Sequence, residues 1–303
     1  MIIFPQDGMK SDLERLWRAC FGDSEEYIKF FFEHRYVPEN CLVYVDQMIK
    51  RPVAMLHLLP VTISEDGGLS SAQYVYAACT RSDYRKQGIM AQLLNTAIKL
   101  GQSRGIKYSV TVPAEHHLFR YYGKHGFHRS YKVRMVYMSR SDLLFLSKNC
   151  MKIEGSARET MMQLNDIYSF RRDMLIDREG YVNWDMNAFK YAVGIHEQDG
   201  GHIITVSYKG DSGYAFCSLN GDTVRITEFI AKEHFAAVLI KRILQSYPRA
   251  QKFIFRLPVC DTFFEKYGEV LDFAMIARND GKNPVSMTTL EGIRAPYLGL
   301  PLD

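Results

Sequence analysis

Residues 74–91 combine residue types and a spacing that suit the binding of a phosphate-bearing ligand. We predict a strand there, then a basic turn that contains glycine, then a helix that begins near residue 89. The first N–H groups of a helix have no intrahelical partner and the helix dipole adds partial positive charge, so such a turn can bind a pyrophosphate. Glycine lets the backbone come close to the ligand. The loop residues predicted to bind it are Arg85, Lys86, Gln87, Gly88, Ile89, Met90 and Ala91.

The order Arg85-x-x-Gly88-x-Met90 resembles the acyl-CoA loop of the GNAT superfamily of N-acetyltransferases, usually written (Gln/Arg)-x-x-Gly-x-(Gly/Ala). Met90 departs from the small residue of that pattern. The turn lacks the Lys-(Ser/Thr) ending of an ATP-binding P-loop and the spacing of a dinucleotide fingerprint, which argues against both of those nucleotide-binding classes. The first motif therefore favours an acyl-CoA ligand.

A second motif follows at residues 118–127, Leu-Phe-Arg-Tyr-Tyr-Gly-Lys-His-Gly-Phe. It is similar to the Phe-Tyr-x-Lys-x-Gly-Phe segment of the same superfamily, with Tyr122 at the position of the general-acid tyrosine. The two motifs occur in the expected order, and each falls on the expected element. The chain is therefore identified as a member of the GNAT superfamily by resemblance.

The resemblance implies a reaction in which an amine attacks the thioester of acetyl-CoA, the acyl-donor substrate, and CoA leaves as a thiol. It implies that the strand end at Ala78, Cys79 and Thr80 binds the pantetheine and polarises the thioester carbonyl. Tyr122 would protonate the departing sulfur, since a phenol has a reference pKa of about 10. The alternative that Tyr122 is a core aromatic residue beside Tyr121 stays open. An acyl-cysteine mechanism through Cys79 is disfavoured because no base is apparent beside it.

The amine acceptor is expected between the first two predicted helices and the strand ends. Acidic and aromatic residues in that region suit a cationic amine, although a solvated helix face with the usual charge preference explains them equally well. The predicted acceptor residues are Trp17, Glu26, Tyr27, Phe31 and Glu33.

Composition and charge exclude several other classes of protein. The chain has 303 residues, a hydrophobic content of 47% and a formal net charge of +4, with lysine and arginine scattered along it, which is unlike a nucleic-acid binder. No apolar run approaches the roughly 20 residues of a membrane span, and the N-terminus does not resemble a signal peptide, so a cytoplasmic protein is expected. The six cysteines form no C-x-x-C pair, and neither a disulfide framework nor a metal site is predicted.

The elements that must position these motifs are predicted in the first half of the chain. We expect a helix over Lys10 to Phe21, and a second after Ser24 with a stripe of Tyr27, Phe30, Phe31 and His34. A meander of three strands follows, with a hairpin turn at residues 65–68. After the phosphate loop and its helix come a strand, a helix and a last strand over His128 to Ser139, which is the element order of a GNAT domain.

The second half repeats this order more faintly. Residues 263–268 mirror residues 121–126, but the phosphate loop does not recur, because the chain there has Glu233 and no glycine. We predict an α/β fold with mixed sheets, built as tandem GNAT-like domains in which the first is intact and the second degenerate. This tandem resembles the Eis-like branch of the superfamily. The predicted divisions are residues 1–148, the catalytic domain, 149–283, the degenerate domain, and 284–303, a short C-terminal tail.

The last nine residues are apolar until Asp303, so the tail is expected to be docked on the protein. In Eis-like proteins the terminal carboxylate reaches the active site of the first domain. The resemblance makes Asp303 a candidate general base, because the strand over residues 74–80 carries no acidic residue. Simple packing of the tail between the two domains is the competing interpretation.

The predicted function is acetyl-CoA-dependent transfer of an acetyl group to a primary amine of a small molecule or peptide, such as an aminoglycoside-like compound or a polyamine. Two alternatives stay open. One is a non-catalytic CoA-binding sensor or scaffold, and the other is a tandem Fem-like aminoacyltransferase that uses aminoacyl-tRNA. Neither a nucleic-acid nor a membrane partner is expected, and a homo-oligomer is compatible with the sequence.

Overall fold

The computed structural model describes residues 1–148, 162–284, 290 and 295–300. They form two compact units, and each unit contains residues from both halves of the chain. Unit 1 contains residues 1–130 and 273–284. Unit 2 contains residues 131–148, 162–272, 290 and 295–300.

Both halves of the chain contain helices and strands. The first half contains β1 (Ile2–Ile3), α1 (Lys10–Phe21), α2 (Glu25–His34), β2 (Cys41–Asp46), β3 (Arg51–Glu65), β4 (Gly68–Thr80), α3 (Ile89–Ser103), β5 (Tyr108–Thr111), α4 (His116–Gly123), β6 (His128–Ser139) and α5 (Arg140–Lys148). The second half contains α6 (Leu164–Leu175), β7 (Val182–Asn183), α7 (Met186–Gln198), β8 (His202–Tyr208), β9 (Asp211–Asn220), β10 (Thr223–Ala231), α8 (Glu233–Ser246), β11 (Lys252–Pro258) and β12 (Glu269–Arg278).

Local sequence signals account for the start of unit 1. Ser24 caps α2, and its hydroxyl accepts a hydrogen bond from the Tyr27 N–H at 3.1 Å, as its position in the sequence predicts. The β3–β4 hairpin turns at Asp66 and Gly67, which have φ angles of 51° and 71°. Two successive left-handed residues match the twist of a tight hairpin.

The predicted stripe on α2 is one position out of register. The buried residues of α2 are Ile28, Phe31 and Phe32, whereas His34 is exposed. Because α2 carries apolar or aromatic side chains all around its axis, the spacing alone did not determine which of them face the sheet.

The sheet of unit 1 joins antiparallel and parallel strands in the order β1-β2-β3-β4-β5-β12. Strands β1 to β4 pair antiparallel with their neighbours. Strands β4 and β5 are parallel, as the crossover through α3 requires, and β5 pairs antiparallel with β12. The unit therefore ends its sheet with a strand from late in the chain.

Unit 2 has the same pattern of pairing. Strands β8, β9 and β10 form an antiparallel meander, β10 is parallel to β11 with α8 as the crossover, and β11 pairs antiparallel with β6.

The prediction that residues 128–139 complete the sheet of the first half is therefore wrong. The last strands are exchanged, which is why the two units differ from the predicted divisions at residues 148 and 283. The structure confirms an α/β fold with mixed sheets, and the repeated order is consistent with the predicted tandem arrangement.

Each unit has its own hydrophobic core. In unit 1, α3 and α4 pack on one face of the sheet, where Leu56, Val75, Leu93 and Phe119 meet. In unit 2 the core joins β6 and α5 to α8 and to the strands of that unit. Each core therefore includes residues of the exchanged strand, β12 in unit 1 and β6 in unit 2.

The C-terminal segment 295–300 is docked within unit 2, as predicted for the tail. The Val182 N–H donates to the Tyr297 carbonyl at 3.0 Å, and the Trp184 indole donates to the Gly299 carbonyl at 2.8 Å. The Tyr297 hydroxyl donates to Glu228 Oε1 at 3.3 Å. Glu228 is itself buried and paired with buried Arg171 at 3.0 Å. The segment therefore completes a buried polar cluster.

Replacing Tyr297 by phenylalanine should lower the free energy of unfolding by about 1.5 kcal/mol, because it removes one hydrogen bond to a charged, buried group. Urea unfolding of the full chain measures this difference. Tyr137→Phe, at a tyrosine that is 61% exposed, is the matched control and should change nothing. Equal unfolding midpoints for Tyr297→Phe and the parent protein would show that the hydroxyl does not hold the tail.

Candidate active site

A fork opens between β4 and β5 of unit 1. The parallel register runs only from Ala72 opposite Tyr108 to Tyr74 opposite Val110, whereas β4 continues to Thr80. Backbone groups of β4 beyond this point have no ladder partner on the β5 side within the described register. Because backbone N–H and C=O groups need partners, this edge of β4 can bind an extended ligand.

A β-bulge lies on β4 just beyond the fork. Tyr76 pairs with His57 and Cys79 pairs with Met55, so Ala77 and Ala78 together oppose a single residue of β3. Ala77 has a φ of 47°, a left-handed conformation that is unfavourable for alanine by about 1 kcal/mol or more. Bulges of this kind redirect backbone groups and are common beside active sites. Sequence analysis missed this bulge, since no glycine marks it.

The loop after β4 is held by its own hydrogen bonds. Arg85 Nε donates to the Thr80 carbonyl at 3.0 Å, and Gln87 Nε2 donates to the Asp83 carbonyl at 3.3 Å. Lys86 and Gly88 have φ angles of 63° and 75°. A Cβ atom at Gly88 would meet no other atom within 4 Å, so the space in front of the loop is open.

The start of α3 has the features of an anion site. Gly88 is the N-cap and supplies no side-chain cap, and the first turn contains no acidic residue. Ile89 is buried and Met90 is partly buried against the core of unit 1, so the larger side chain of Met90 does not enter the loop. The N–H groups at this helix start therefore fit a pyrophosphate, with positive charge from exposed Arg85 and Lys86.

Tyr122 is linked to the fork through Thr111. Its hydroxyl forms a hydrogen bond with the Thr111 side chain, and Thr111 Oγ1 donates to the Val75 carbonyl at 3.2 Å. Burial raises the pKa of Tyr122 to about 12, so the phenol is protonated at neutral pH. Sequence analysis missed Thr111, whose only signal is its place at the end of β5.

Three of the predicted acceptor residues come together. Trp17 and Phe31 are buried with ring centroids 4.7 Å apart, and both rings contact Tyr76 of β4. The Tyr27 and Tyr76 hydroxyls form a hydrogen bond of 2.7 Å, and Trp17 Nε1 donates to Asp23 Oδ2 at 2.7 Å. This aromatic cluster lies against the bulged strand.

The two glutamates predicted for the acceptor site lie elsewhere on α2. Glu26 and Glu33 are both exposed. Asp23, which precedes α2, is the carboxylate in hydrogen-bond contact with the aromatic cluster. The position of Asp23 beside its helix cap was visible in the sequence, but its contact with Trp17 depends on the packing of α1 against α2.

His57 lies inside the aromatic cluster and is fully buried. Its ring is 4.8 Å from that of Phe31, its Nε2 has no hydrogen-bond partner among the described residues, and burial lowers its pKa from 6.5 to about 3. The folded protein therefore keeps His57 neutral, while the unfolded chain takes up a proton below about pH 6.5. Above that pH, His57 does not reduce the free energy of unfolding. As the pH falls below it, protonation of His57 in the unfolded chain lowers the free energy of unfolding.

We expect the free energy of unfolding to fall by about 2 kcal/mol between about pH 8 and pH 5 through His57 alone, at about 1.4 kcal/mol per pH unit below 6.5. Urea unfolding at both pH values, in the parent protein and in His57→Phe, measures this contribution. The substituted protein should show the smaller loss. Identical pH dependence in the two proteins would mean that His57 does not titrate as burial dictates.

Cys79 is a poor nucleophile in this setting. Its side chain is 6% exposed, and burial raises the pKa of its thiol well above the usual value. Its closest titratable partner is the thiol of Cys20 on α1. The protonated thiol supports the earlier preference for direct transfer over an acyl-cysteine.

The part of unit 2 that corresponds to the phosphate loop of unit 1 differs from it in its side chains. Strand β10 also has a bulge, between Ile226 and Glu228, and the helix after it begins with Glu233. A cavity of about 150 Å³ lies there, lined by Glu233, Asp261 and eleven neighbouring residues. Burial raises the pKa of the Asp261 carboxyl, because it disfavours the charged form. Glu233, in the first turn of α8, would repel a pyrophosphate at this helix start, while Arg178 lines the other part of the cavity wall.

Three further predictions concern a general base, a metal site and a membrane span. Asp303, the candidate base, lies outside the described residues. Within the described ranges, no group of three or more histidine, cysteine, aspartate or glutamate side chains could hold a metal ion. Over the same ranges, no helix is both long and apolar enough to cross a membrane.

Comparisons with known proteins agree with the fold of the chain. Residues 5–129 match the family model described as an acetyltransferase (GNAT) domain. Searching the curated proteins gave no match. Among solved structures, a probable N-acyltransferase from Enterococcus faecalis V583 is 12% identical, with a TM-score of 0.73 over 92% of this chain and 72% of the other. A GCN5-related N-acetyltransferase from Kribbella flavida is 15% identical, with a TM-score of 0.69 over 91% and 70% of the chains.

Eis1 from Mycobacterium abscessus is also similar in fold, at 9% identity and a TM-score of 0.67 over 92% of this chain and 74% of the other. At these identities the solved structures establish the fold alone. The family model adds the sequence pattern around the phosphate loop and α4. Residues 5–129 therefore resemble a GNAT acetyltransferase domain, and this match covers less than half of the chain.

Proposed function

We propose that unit 1 transfers the acetyl group of acetyl-CoA to a primary amine of a small molecule or peptide. The observation that carries this proposal is the hydrogen-bonded path from Tyr122 through Thr111 to the fork between β4 and β5, beside the uncapped start of α3. A protonated phenol, the edge of β4 beyond the fork and the uncapped start of α3 all belong to unit 1 and support the proposal.

Binding of the donor is assigned to the strand end and the loop. Acetyl-CoA, when bound, supplies the thioester that the amine attacks. The N–H groups of residues 88–91 would hold its pyrophosphate, with Arg85 and Lys86 adding positive charge. The backbone of Ala78, Cys79 and Thr80 would orient the donor along β4 and polarise its carbonyl.

Proton transfer is assigned to Tyr122. A phenol with a pKa of about 12 is protonated when the reaction begins and can give its proton to the leaving sulfur. The deprotonated oxygen would then be stabilised by the Thr111 hydroxyl, which can turn from the Val75 carbonyl towards it. Removal of the proton from the attacking amine is proposed for Asp303 or for an ordered water.

The acceptor is proposed to be a cation that lies against the aromatic cluster. Tyr27, which is only partly buried, and Tyr76 present hydroxyls at its edge, and Asp23 adds a carboxylate. Aromatic faces and a nearby carboxylate attract ammonium groups. Aminoglycoside-like compounds and polyamines carry several such groups and are the first acceptors to test.

Isothermal titration of the full chain with acetyl-CoA, followed by thiol release over a panel of amines, tests the proposal. The panel includes a polyamine, an aminoglycoside and a peptide with a free N-terminus, and a reaction without amine is the control. We expect binding and amine-dependent release of CoA. Binding without turnover on any amine would favour a CoA-binding sensor, and no binding would contradict the assignment of the donor site.

A further inference from the structure

Two thiols and a guanidinium lie side by side in unit 1, and the proposed acetyl transfer gives no role to the two thiol groups. Cys20 lies near the end of α1, and Cys79 lies on β4, against which α1 packs. The two side chains form a hydrogen bond with each other, and the Arg85 side chain forms a hydrogen bond with Cys20. Nothing in the sequence motifs required a cysteine on α1 to meet this strand.

The two cysteines differ in exposure. Of the free cysteines among the described residues, Cys20 is the one that is not fully buried, while Cys41, Cys79, Cys217 and Cys260 are buried. A small reagent can therefore reach Cys20 from solvent. Cys79 is only 6% exposed, so direct attack on its sulfur is hindered.

The two cysteines also differ in protonation. The hydrogen bond from Cys79 lowers the pKa of the Cys20 thiol to about 7, and the charge and hydrogen bond of Arg85 act in the same direction against burial. Burial raises the pKa of Cys79, which therefore stays a thiol and donates the proton of the shared hydrogen bond. A partly exposed thiolate beside a protonated thiol is the usual arrangement of an attacking and a resolving cysteine.

We propose that Cys20 and Cys79 form an oxidisable dithiol, in which Cys20 is the site of attack on hydroperoxides and Cys79 is the resolving thiol. The Cys20 thiolate attacks the O–O bond of the peroxide, which forms a sulfenic acid and releases hydroxide. The Cys79 sulfur, on losing its proton, then attacks the Cys20 sulfur, so that an S–S bond forms and the S–O bond breaks with loss of water. Two thiols and one hydrogen peroxide give one disulfide and two waters.

A third cysteine supplies the matched control. Cys41 on β2 is buried, and a charge on its sulfur would raise the pKa of Cys79. Burial raises the pKa of Cys41, and it lacks the neighbouring guanidinium that Cys20 has. The proposal therefore assigns the disulfide to Cys20 with Cys79, and not to Cys41 with Cys79.

The test treats the full chain with one equivalent of hydrogen peroxide, without any acetyl donor, so its outcome is independent of the proposed acetyl transfer. Free thiols are counted, and non-reduced digests are analysed by mass spectrometry. We expect the thiol count to fall from six to four, with a peptide linked between Cys20 and Cys79 that a dithiol reductant separates. Cys41→Ala should behave like the parent protein and lose two thiols.

Two further variants separate the roles. Cys79→Ala should leave a sulfenic acid on Cys20 that dimedone traps, and Cys20→Ala should lose no thiol pair. Circular dichroism confirms that each variant is folded, and Cys20 is at a partly exposed helix end where alanine is well tolerated. Absence of the linked peptide in the folded parent protein, or equal thiol loss in Cys20→Ala, would overturn the proposal.

Discussion

Replacing Tyr122 by phenylalanine is expected to lower kcat for acetyl transfer by about 10²-fold or more and to leave acetyl-CoA affinity nearly unchanged. The phenol ring packs against Tyr121 and Phe127, with ring centroids 5.7 Å and 5.6 Å away, and phenylalanine keeps these contacts. The variant removes only the hydroxyl and its hydrogen bond to Thr111. The loss therefore reports on proton transfer and not on packing.

Single-turnover kinetics with saturating acetyl-CoA measure this effect, because product release does not mask it. Tyr121→Phe is the matched control, since Tyr121 is the adjacent phenol and lies in the same helix. That variant should react at nearly the parent rate. An unchanged single-turnover rate in Tyr122→Phe would leave the residue with a structural role in the core and nothing more.

The pH dependence offers a second view of the same residue. Because burial raises the pKa of Tyr122 to about 12, the acid stays protonated far above neutral pH. Deprotonation of Tyr122 should therefore cause no loss of rate between about pH 7 and pH 10 in the free enzyme. The alkaline limb of kcat/KM, if one occurs in that range, belongs to another group.

The local elements of unit 1 could be predicted from the sequence because their signals are local. The predicted bounds of α1, Lys10 to Phe21, agree with the structure, and Gly22 ends that helix with a φ of 77°. The strand, turn and helix around Gly88 form as expected, as does the hairpin at Asp66 and Gly67. In each case a cap, a glycine or a regular apolar spacing lies within a few residues of the feature it determines.

The exchange of β6 and β12 could not be predicted in this way. Each strand follows a similar aromatic turn that ends in glycine, Gly126 before β6 and Gly268 before β12. The turn determines that a strand follows, but its partner is chosen by contacts far away in the chain. Because β5 and β11 both offer an antiparallel edge, either pairing satisfies the local pattern.

Some residues of the candidate site could be predicted from the sequence, and others could not. The loop residues and Tyr122 carry local motifs, and they could be named from the sequence. Thr111 and the Ala77 bulge depend on the register between strands, which a single sequence does not encode locally. The exposure of Glu26 and Glu33 depends on which side of α2 meets the sheet, and aromatic side chains on several sides of α2 left that undecided.

Replacing Gly88 by aspartate should abolish measurable acetyl-CoA binding to the full chain. Gly88 has a φ of 75° and open space in front of it, so the new carboxylate would point into the place proposed for the pyrophosphate. It would also compete for the N–H groups at the start of α3, since aspartate is a good helix cap. Charge repulsion and loss of these donors act together, whereas the fold of α3 should survive.

Asparagine at the same position is the matched control. It has nearly the shape of aspartate and the same tolerance of left-handed backbone, but no charge. Gly88→Asn should therefore bind acetyl-CoA more weakly than the parent protein and more tightly than Gly88→Asp. Equal affinities for the two variants would mean that shape, and not charge, excludes the ligand.

The full chain must be used for these titrations, because neither half of the sequence contains all strands of one unit. A fragment that starts at residue 150 would lack β6, which pairs with β11 in unit 2. The number of acetyl-CoA molecules bound per intact chain tests instead whether unit 1 alone binds the donor. With Glu233 in the first turn of α8, at the corresponding place in unit 2, we expect one acetyl-CoA per parent chain and none per Gly88→Asp chain. One equivalent still bound by Gly88→Asp would move the donor site away from the loop at residues 85–91.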